Sequence, residues 1–182
     1  INVILQLSRS GKRSFTPRHI DLGQLVGGLV AEAGKRAEEA GVALSVGTLP
    51  AVVSDRPALE QVFGNLLDNA IKYRRPGVPG LVRIEGSERG PTVTILVSDN
   101  GRGIAPQDRE RVFELFRRAG KQDQPGEGIG LAHVRALVRS IGGSVTLESR
   151  LGEGTTFKVM LPKLWSPPSP APSTNSDKAE SP

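Results

Sequence analysis

Two asparagines lie four residues apart in the stretch Glu60-Gln61-Val62-Phe63-Gly64-Asn65-Leu66-Leu67-Asp68-Asn69-Ala70-Ile71-Lys72-Tyr73. The apolar residues recur at helical spacing, which predicts a helix over about residues 57–73 with a broad apolar face. Asn is a poor helix former because its amide competes for backbone hydrogen bonds. Two amides at the edge of that face, with Lys72 one turn further on, therefore indicate a site for a polar ligand.

A second motif follows a strongly apolar predicted strand and reads Asp99-Asn100-Gly101-Arg102-Gly103-Ile104. An ionised carboxylate accepts hydrogen bonds such as those of an exocyclic amine on a base. Two glycines let the backbone pass close to a planar ligand. Taken alone, the Asn-Gly dipeptide also fits a type I′ hairpin turn, so this motif leaves both interpretations open.

A third motif, Gly126-Glu127-Gly128-Ile129-Gly130-Leu131, precedes and opens a predicted helix over residues 129–141. Glycines at a helix start expose backbone N–H groups to an anion at the positive end of the helix dipole. The spacing matches neither a Walker loop nor the Rossmann fingerprint. The alternative is a flexible linker that meets a helix.

Between the second and third motifs lies a segment of roughly 25 residues, longer than most connections inside a compact domain. It contains a predicted short helix over about residues 108–116 with Phe113 and Phe116, followed by Arg117-Arg118. A long basic segment between two glycine motifs indicates a lid over a phosphate-bearing ligand. A disordered insertion is the alternative, although the two Phe side chains need a surface to pack against.

The elements that must position these motifs are helices and short strands in alternation. Asp21 is predicted to cap a helix that runs to about residue 40 and ends at Gly41. Strands are predicted at 42–46, 52–53, 81–85, 93–97, 145–148 and 155–161, the third and fourth as a hairpin. This pattern predicts an α+β two-layer sandwich, with a mixed, mostly antiparallel sheet covered on one face by three helices. We expect a helix end and hinge over 1–19, the folded domain over 20–163 and a disordered Pro/Ser-rich tail over 164–182.

Composition limits the classes of function. The chain has 182 residues, a net charge of +5 and no cysteine, which excludes disulfides and thiolate chemistry. The excess of positive charge suggests an anionic partner. Aromatic residues make up only 4% of the chain, and no stacking platform is visible, so the sequence gives little support to the hypothesis of a nucleic-acid binder. No apolar run is long enough to span a membrane, and the start at Ile1 suggests a fragment of a longer polypeptide.

Taken in order, the motifs Asn-x-x-x-Asn, Asp-x-Gly-x-Gly, Phe-x-x-Phe and Gly-x-Gly-x-Gly-Leu resemble the N, G1, F and G2 boxes of sensor histidine kinases. That family belongs to the ATP-binding superfamily that also contains DNA gyrase, MutL and the heat-shock chaperone ATPases. The stretch Gly152-Glu153-Gly154-Thr155-Thr156-Phe157 is similar to the last hairpin of the family. The resemblance covers about residues 20–163. The stretch Arg9-Ser10-Gly11-Lys12 before Asp21 resembles the join between the family's dimerisation helices and its catalytic domain in the bacteriophytochrome-like branch.

The resemblance implies a Bergerat-type fold and roles for individual residues. Asn69 would hold Mg²⁺, Asn65 would contact the phosphates or the metal's water shell, and Lys72 would pair with phosphate oxygens. Asp99 would accept the adenine amine, and Arg118 would be a lid cation that stabilises the transferring phosphoryl group. The remaining nucleotide-binding candidates are Tyr73, Gly101, Gly103, Ile104, Gly126, Gly128, Ile129, Gly130, Leu131 and Thr156.

Position 65 separates branches of the superfamily, because its ATPases resemble this chain but carry a Glu there as general base for water. An amide cannot act as a base, so Asn65 favours phosphoryl transfer to a protein over hydrolysis. His19 and His133 are both outside the context of a phosphoacceptor, which the resemblance places on an upstream helix.

The resemblance thus implies the catalytic domain of a protein-histidine kinase, in the cytoplasm or on the cytoplasmic side of a membrane-anchored full-length sensor. It would use ATP and Mg²⁺ and would partner its own dimerisation domain, a response regulator and a second copy of the full-length protein. A catalytically inactive nucleotide-binding module, a pseudokinase, is the alternative. We expect no nucleic-acid partner and no membrane contact by this segment.

Overall fold

The computed structural model describes residues 14–114 and 130–167. Three helices and seven strands occur in these ranges, and two single turns of 3₁₀ helix follow the fifth strand. In chain order they are β1 (Pro17–Asp21), α1 (Leu22–Glu39), β2 (Val42–Val46), β3 (Ala51–Asp55), α2 (Arg56–Lys72), β4 (Gly80–Arg89), β5 (Thr92–Asp99), the 3₁₀ turns Pro106–Asp108 and Arg111–Phe113, α3 (Gly130–Ser140), β6 (Ser144–Arg150) and β7 (Gly154–Pro162).

Five strands form one mixed sheet in the order β2-β4-β5-β7-β6, and β1 pairs with β3 in a separate antiparallel ribbon. The β2–β4 pair is parallel, whereas β4–β5, β5–β7 and β6–β7 are antiparallel. The three helices cover the sheet, with α2 between α1 and α3 and in contact with β4 and β5. The predicted α+β sandwich and the β4–β5 hairpin are therefore confirmed.

Helices α1 and α2 begin at aspartate caps. Asp21 accepts a hydrogen bond from Gln24 N at 3.0 Å, as the sequence predicted. Asp55 accepts one from Ala58 N at 2.9 Å and a second, from Thr16 N, also at 2.9 Å. A buried carboxylate therefore ties the chain before β1 to the start of the asparagine helix.

Alternation along the strands gives the sheet a buried face and a solvent face. In β5, Val93, Ile95 and Val97 are buried against the helices, and Asp99 continues this row. The intervening Thr94, Leu96 and Ser98 lie on the opposite face. The choice of face decides which side chains near the strand end share a site.

The packed domain extends past both ends of the range 20–163 that the sequence predicted. Residues 17–19, predicted as the end of the hinge, belong to β1, because β3 offers this strand a complete antiparallel partner. At the other end Leu164 bridges Val53, and Trp165 is buried with its ring edge-on to Phe15, the centroids 5.8 Å apart. This aromatic contact is non-local and therefore invisible to a local reading of the sequence.

The short helix predicted over 108–116 is wrong for its described part, residues 108–114. The chain forms two 3₁₀ turns there, and Glu114 is already extended, with φ −82° and ψ 147°. Val112 and Phe113 are both buried, and Phe113 packs edge-on against Phe157 with the ring centroids 6.4 Å apart. A surface helix buries residues that are three or four apart, whereas these two buried side chains are adjacent, as a single tight turn allows.

Candidate nucleotide-binding site

Asn65, Asn69 and Tyr73 form one i, i+4 row along the C-terminal half of α2. At 1.5 Å per residue the row is about 12 Å long. Burial of Val62, Leu66 and Ala70 holds α2 on the sheet and leaves this row half-buried at the edge of the apolar face. The predicted placement of the two amides is therefore what the structure shows.

The N-terminal end of the row meets the start of α3. The Asn65 side-chain N–H donates to the Gln61 carbonyl at 2.7 Å, which leaves the amide oxygen as an acceptor with no donor among the described residues. That oxygen faces Gly130, where an added Cβ would come within 3.0 Å of it. A side chain at the first residue of α3 would require the Asn65 amide to shift, and the Asn65 oxygen lies at the positive end of the helix dipole.

The contact between α2 and α3 also includes His133, whose Nε2 lies 3.1 Å from the Gln61 side-chain oxygen. His133 is thus part of the helix packing beside Asn65. Leu131, a predicted contact residue, packs half-buried against the core. The predicted site residues Arg118, Gly126, Gly128 and Ile129, together with Phe116, lie outside the described residues.

The C-terminal end of the row meets the loop after β5. Tyr73 ends α2, and its carbonyl accepts a hydrogen bond from Arg102 N at 3.0 Å. The Arg102 guanidinium lies over the Tyr73 ring, 4.4 Å from the centroid, and Lys72 Nζ lies 5.1 Å from the same centroid. Two cations thus hold the tyrosine ring by cation–π contact. Sequence reasoning assigned roles to Lys72 and Tyr73 but none to Arg102.

Gly101 and Gly103 are required by the protein backbone itself. A Cβ on Gly101 would lie 2.6 Å from the Tyr73 carbonyl oxygen, and one on Gly103 would lie 1.9 Å from the Arg150 carbonyl oxygen. Gly103 also has φ +68°, which favours glycine. We expected these glycines to admit a planar ligand, and the structure gives a second reason for them, the close packing of this loop on two other segments.

The hairpin-turn alternative for Asn100-Gly101 is wrong. Gly101 has no positive φ, which a type I′ turn would need, and the strands beside β5 are β4 and β7. The Asn100 side chain instead accepts from Leu81 N at 2.7 Å and donates to the Pro79 carbonyl at 3.0 Å. Asn100 therefore holds the start of β4 beside the end of β5.

Asp99 has an unusual proton affinity. Burial raises the pKa of this carboxyl from 3.8 to about 6, although backbone N–H groups of Gly101 and Thr155 favour its charged form. The Gly101 bond to Asp99 Oδ1 measures 2.8 Å. A carboxylate with too little water around it is poised to accept a proton donor from a ligand. This agrees with the role predicted for Asp99 without identifying the donor.

Thr156, a predicted contact residue, lies on the solvent face of the sheet, where its hydroxyl donates to Ser98 at 3.0 Å. Thr155 is instead the partner of Asp99 across the β5–β7 register, and it is buried on the same face as the carboxylate. The correction follows from the two-residue period of a strand, in which neighbouring side chains point to opposite faces. Sequence reasoning could not choose between two adjacent threonines without the register.

Ser149 is a further residue that sequence reasoning missed. Its hydroxyl accepts from Ile104 N at 2.8 Å, donates to the Gly154 carbonyl at 2.8 Å and lies 2.9 Å from the Thr155 hydroxyl. Ile104, a predicted contact residue, is thereby fixed by its backbone. The buried hydroxyls of Ser149 and Thr155 join the loop after Asp99 to the β6–β7 hairpin.

A shallow cavity of about 340 Å³ lies on the other side of the sheet, over β2, β4 and β5. Most of its lining, such as Leu81, Arg83 and Ser98, lies on the face opposite the helices, and the cavity reaches Asp99 and Asn100 at the end of β5. None of the lining residues is on α2, so this cavity is not the space between the α2 row and Asp99.

Among residues 14–114 and 130–167, no group of three or more His, Cys, Asp or Glu side chains is placed to hold a metal ion. In the same residues, no helix is both long and apolar enough to cross a membrane.

A family model for histidine kinase-, DNA gyrase B- and HSP90-like ATPases matches residues 54–164, from the residue before the Asp55 cap to the Leu164 bridge. The chain belongs to this family. Among curated proteins, the chain is similar to the phytochrome-like protein Cph1 from Synechocystis sp., with 38% identity over 143 residues, 78% of this chain and 19% of the relative. The histidine protein kinase DivJ from Caulobacter vibrioides is 41% identical over 138 residues, 72% of this chain and 23% of the relative. The chain therefore spans about a fifth of the length of these relatives.

Solved structures give the same result for the ATPase-family fold. Full-length ShkA in complex with AMPPNP superposes with a TM-score of 0.77 at 28% identity, over 93% of this chain and 36% of ShkA. The mycobacterial sensor histidine kinase MprB superposes with a TM-score of 0.71 at 28% identity, over 84% of this chain and 99% of the MprB chain. The predicted resemblance to histidine-kinase catalytic domains is confirmed, while the likeness to one particular branch stays a prediction.

Proposed function

We propose that this chain is the catalytic and ATP-binding domain of a sensor histidine kinase. It binds ATP with Mg²⁺ along the α2 row and donates the γ-phosphoryl group to a histidine on an upstream dimerisation domain. The observation that carries the proposal is the row itself. Asn65, at one end of the row, lies beside the start of α3, and Tyr73, at the other end, lies beside the loop after Asp99. One ligand with a base and a polyphosphate can therefore contact both ends of the row.

The residues present fit the magnesium ion. Asn69 has no side-chain partner among the described residues, so its amide oxygen is available as a neutral ligand. The Asn65 oxygen is an acceptor, and it suits the metal's water shell better than a phosphate oxygen, which is itself an acceptor. When bound, the ion would neutralise charge on the phosphates. Lys72 and Arg102 add positive charge next to the ring of Tyr73, and Lys72 would pair with phosphate oxygens of the nucleotide.

Phosphoryl transfer to a protein is favoured over hydrolysis because α2 offers no base to activate water. Its two acidic residues are both engaged with arginines, Glu60 with Arg56 and Asp68 with Arg36, each at 2.9 Å. Position 65 carries an amide whose nitrogen is committed to a helix carbonyl. These contacts support transfer over hydrolysis, and nothing in the described residues favours a catalytically inactive module.

The proposal extends to partners and location. The acceptor histidine would come from the protein's own dimerisation domain in a homodimer, and a response regulator receiver domain would take the phosphoryl group from it. Because the substrate is ATP, we propose that the domain works in the cytoplasm.

The test is a polypeptide that joins this chain to the upstream helices of its natural protein, incubated with radiolabelled Mg-ATP. We expect acid-labile labelling of a histidine, and we expect Asn69→Ala to abolish it. Asp68→Asn is the matched control on the same helix, because Asp68 contacts Arg36 away from the row. Normal labelling of the Asn69→Ala protein would refute the assigned role. Binding of ATP by the wild type without any labelling would favour the inactive module.

A further inference from the structure

The buried hydroxyls of Ser149 and Thr155 form a network in which every proton can be assigned. Ile104 N–H can only donate, so Ser149 Oγ accepts that bond of 2.8 Å. The Gly154 carbonyl can only accept, so the single Ser149 proton goes there, also at 2.8 Å. The bond of 2.9 Å between Ser149 and Thr155 must then use the Thr155 proton. Thr155 is left with lone pairs alone for any other neighbour.

Thr155 lies where this restriction matters. It is opposite Asp99 in the β5–β7 register, on the same face of the sheet, and its backbone N–H faces the carboxylate. Residues directly opposite in an antiparallel pair have Cβ atoms about 5 Å apart. The ionised carboxylate of Asp99 and the hydroxyl oxygen of Thr155, which has no free proton, are therefore both hydrogen-bond acceptors at this end of the site.

We infer that Ser149 is a positioning residue for base selectivity: it takes the Thr155 proton and thereby makes the base pocket accept an exocyclic amine and reject a carbonyl at the same position. The inference rests on the proposed function, because it assumes that a nucleotide base lies beside Asp99. Ser149 itself touches no ligand. It acts through the orientation of one hydroxyl and through Ile104, whose backbone it holds.

The selectivity follows from hydrogen-bond accounting. The two protons of a 6-amino group can be donated to the Asp99 carboxylate and the Thr155 hydroxyl oxygen. A 6-carbonyl oxygen would face the same two acceptors with no proton between them. Without the Ser149 hydroxyl, the Thr155 hydroxyl is free to rotate and donate, so a carbonyl becomes tolerated. The ratio of affinities for the two bases should then fall about tenfold, the effect of one hydrogen bond of ordinary strength.

The experiment measures the dissociation constants of Mg-ATP and Mg-ITP for the 182-residue chain by titration calorimetry. ITP carries a carbonyl in place of the 6-amino group and is otherwise the same ligand at its ribose and phosphates. We expect the wild type to prefer ATP, and Ser149→Ala to lower that preference about tenfold. Ser149→Thr keeps the hydroxyl and should therefore keep the wild-type preference for ATP.

Two further variants separate positioning from a general loss of structure. Thr155→Val removes the hydroxyl that the inference depends on, so it should reduce the preference by itself and make a second change at Ser149 ineffective. Ser98→Ala is the matched control, since Ser98 and Thr156 form a similar hydroxyl pair, 3.0 Å apart, on the solvent face. It should leave the preference unchanged.

The outcomes are distinguishable. If the wild type binds neither nucleotide, the proposed function itself fails. If the wild type prefers ATP but Ser149→Ala weakens both nucleotides equally, Ser149 is only structural and the inference is wrong. If Ser149→Ala does not fold, Thr155→Val decides, and an unchanged ATP-to-ITP ratio in that variant overturns the inference.

Discussion

Replacement of Asp99 by asparagine should make the nucleotide-free domain more stable and a poorer binder of ATP. Burial raises the pKa of this carboxyl from 3.8 to about 6 in the folded protein. At neutral pH the ionised Asp99 therefore costs more free energy in the folded state than in the unfolded chain. Asparagine has nearly the same shape and carries no charge, so it removes this unfavourable term.

The magnitude follows from proton linkage. The difference between 3.8 and about 6, at 1.36 kcal/mol per pH unit, corresponds to about 3 kcal/mol at pH 7.5. Asparagine offers one acceptor oxygen in place of two to the N–H groups of Gly101 and Thr155, which offsets part of the gain. We therefore expect the free energy of unfolding to rise by about 1–3 kcal/mol.

The pH dependence has a definite sign. Because the folded-state pKa is raised, the unfolded chain loses this proton first as pH increases, and wild-type stability falls between about pH 4 and pH 6. Asp99→Asn lacks this fall. The difference in stability between variant and wild type should therefore be small below about pH 4, grow up to about pH 6 and stay constant above it.

Binding should change in the opposite direction. An ionised carboxylate is a strong acceptor for an amine, and its loss removes about 1.5–3 kcal/mol, or roughly 10- to 100-fold in ATP affinity. Wild-type affinity should also decline as pH falls through about 6, where Asp99 takes up its proton. The variant should show no such decline from this group.

The assays are urea unfolding without nucleotide from pH 4 to pH 8 and calorimetric titration with Mg-ATP. Asp55→Asn is the control, because both of its carboxylate oxygens accept backbone N–H bonds, from Ala58 and Thr16, each at 2.9 Å. That replacement should destabilise the domain, the opposite sign for the same chemical change. A less stable Asp99→Asn domain at pH 7.5, or a stability difference that does not vary between pH 4 and pH 6, would refute the reasoning.

Two further predictions concern packing. Trp165→Ala should lower the free energy of unfolding by about 3–5 kcal/mol in urea titrations, because it removes a buried ring and its contact with Phe15; a loss under 1 kcal/mol would show that the domain ends before residue 165. Gly103→Ala should abolish ATP binding and destabilise the fold, since the new Cβ would lie 1.9 Å from the Arg150 carbonyl oxygen. Gly152→Ala is its control, because Gly152 also has a positive φ of +83° but has open space around it, so it should lose only about 1 kcal/mol.

The features that local sequence patterns predicted well are those that depend on one element. The amide spacing of Asn65 and Asn69 is a property of a single helix, and the Asp21 cap and the left-handed Gly41 after α1 depend only on residues close to them in the chain. The Asp99 motif by itself left a hairpin turn and a ligand site both open, and Asp99 could be singled out only because the other motifs follow it in the order of the family. The fold class followed because alternating helices and strands leave few ways to bury their apolar faces.

The features that needed the tertiary structure are those set by strand register and by contacts between distant segments. Thr155 and Thr156 are adjacent and chemically identical, and only the pairing of β7 with β5 places the first beside Asp99. Ser149 gains its role from partners on two other segments. The boundary at Trp165 depends on Phe15, at the far end of the domain, which no local pattern can indicate.

The sequence by itself thus determined that this chain carries a row of amides, a strand-end carboxylate and glycines before a helix, in the order of the ATP-binding family. The tertiary structure decided which side chains face that site, because the faces of a sheet are fixed only when its strands pair. It also decided why Gly101 and Gly103 are glycines: other segments of the backbone come too close for a Cβ. The physical reason is the same in each case, since strand pairing and close packing join residues that are far apart in the chain.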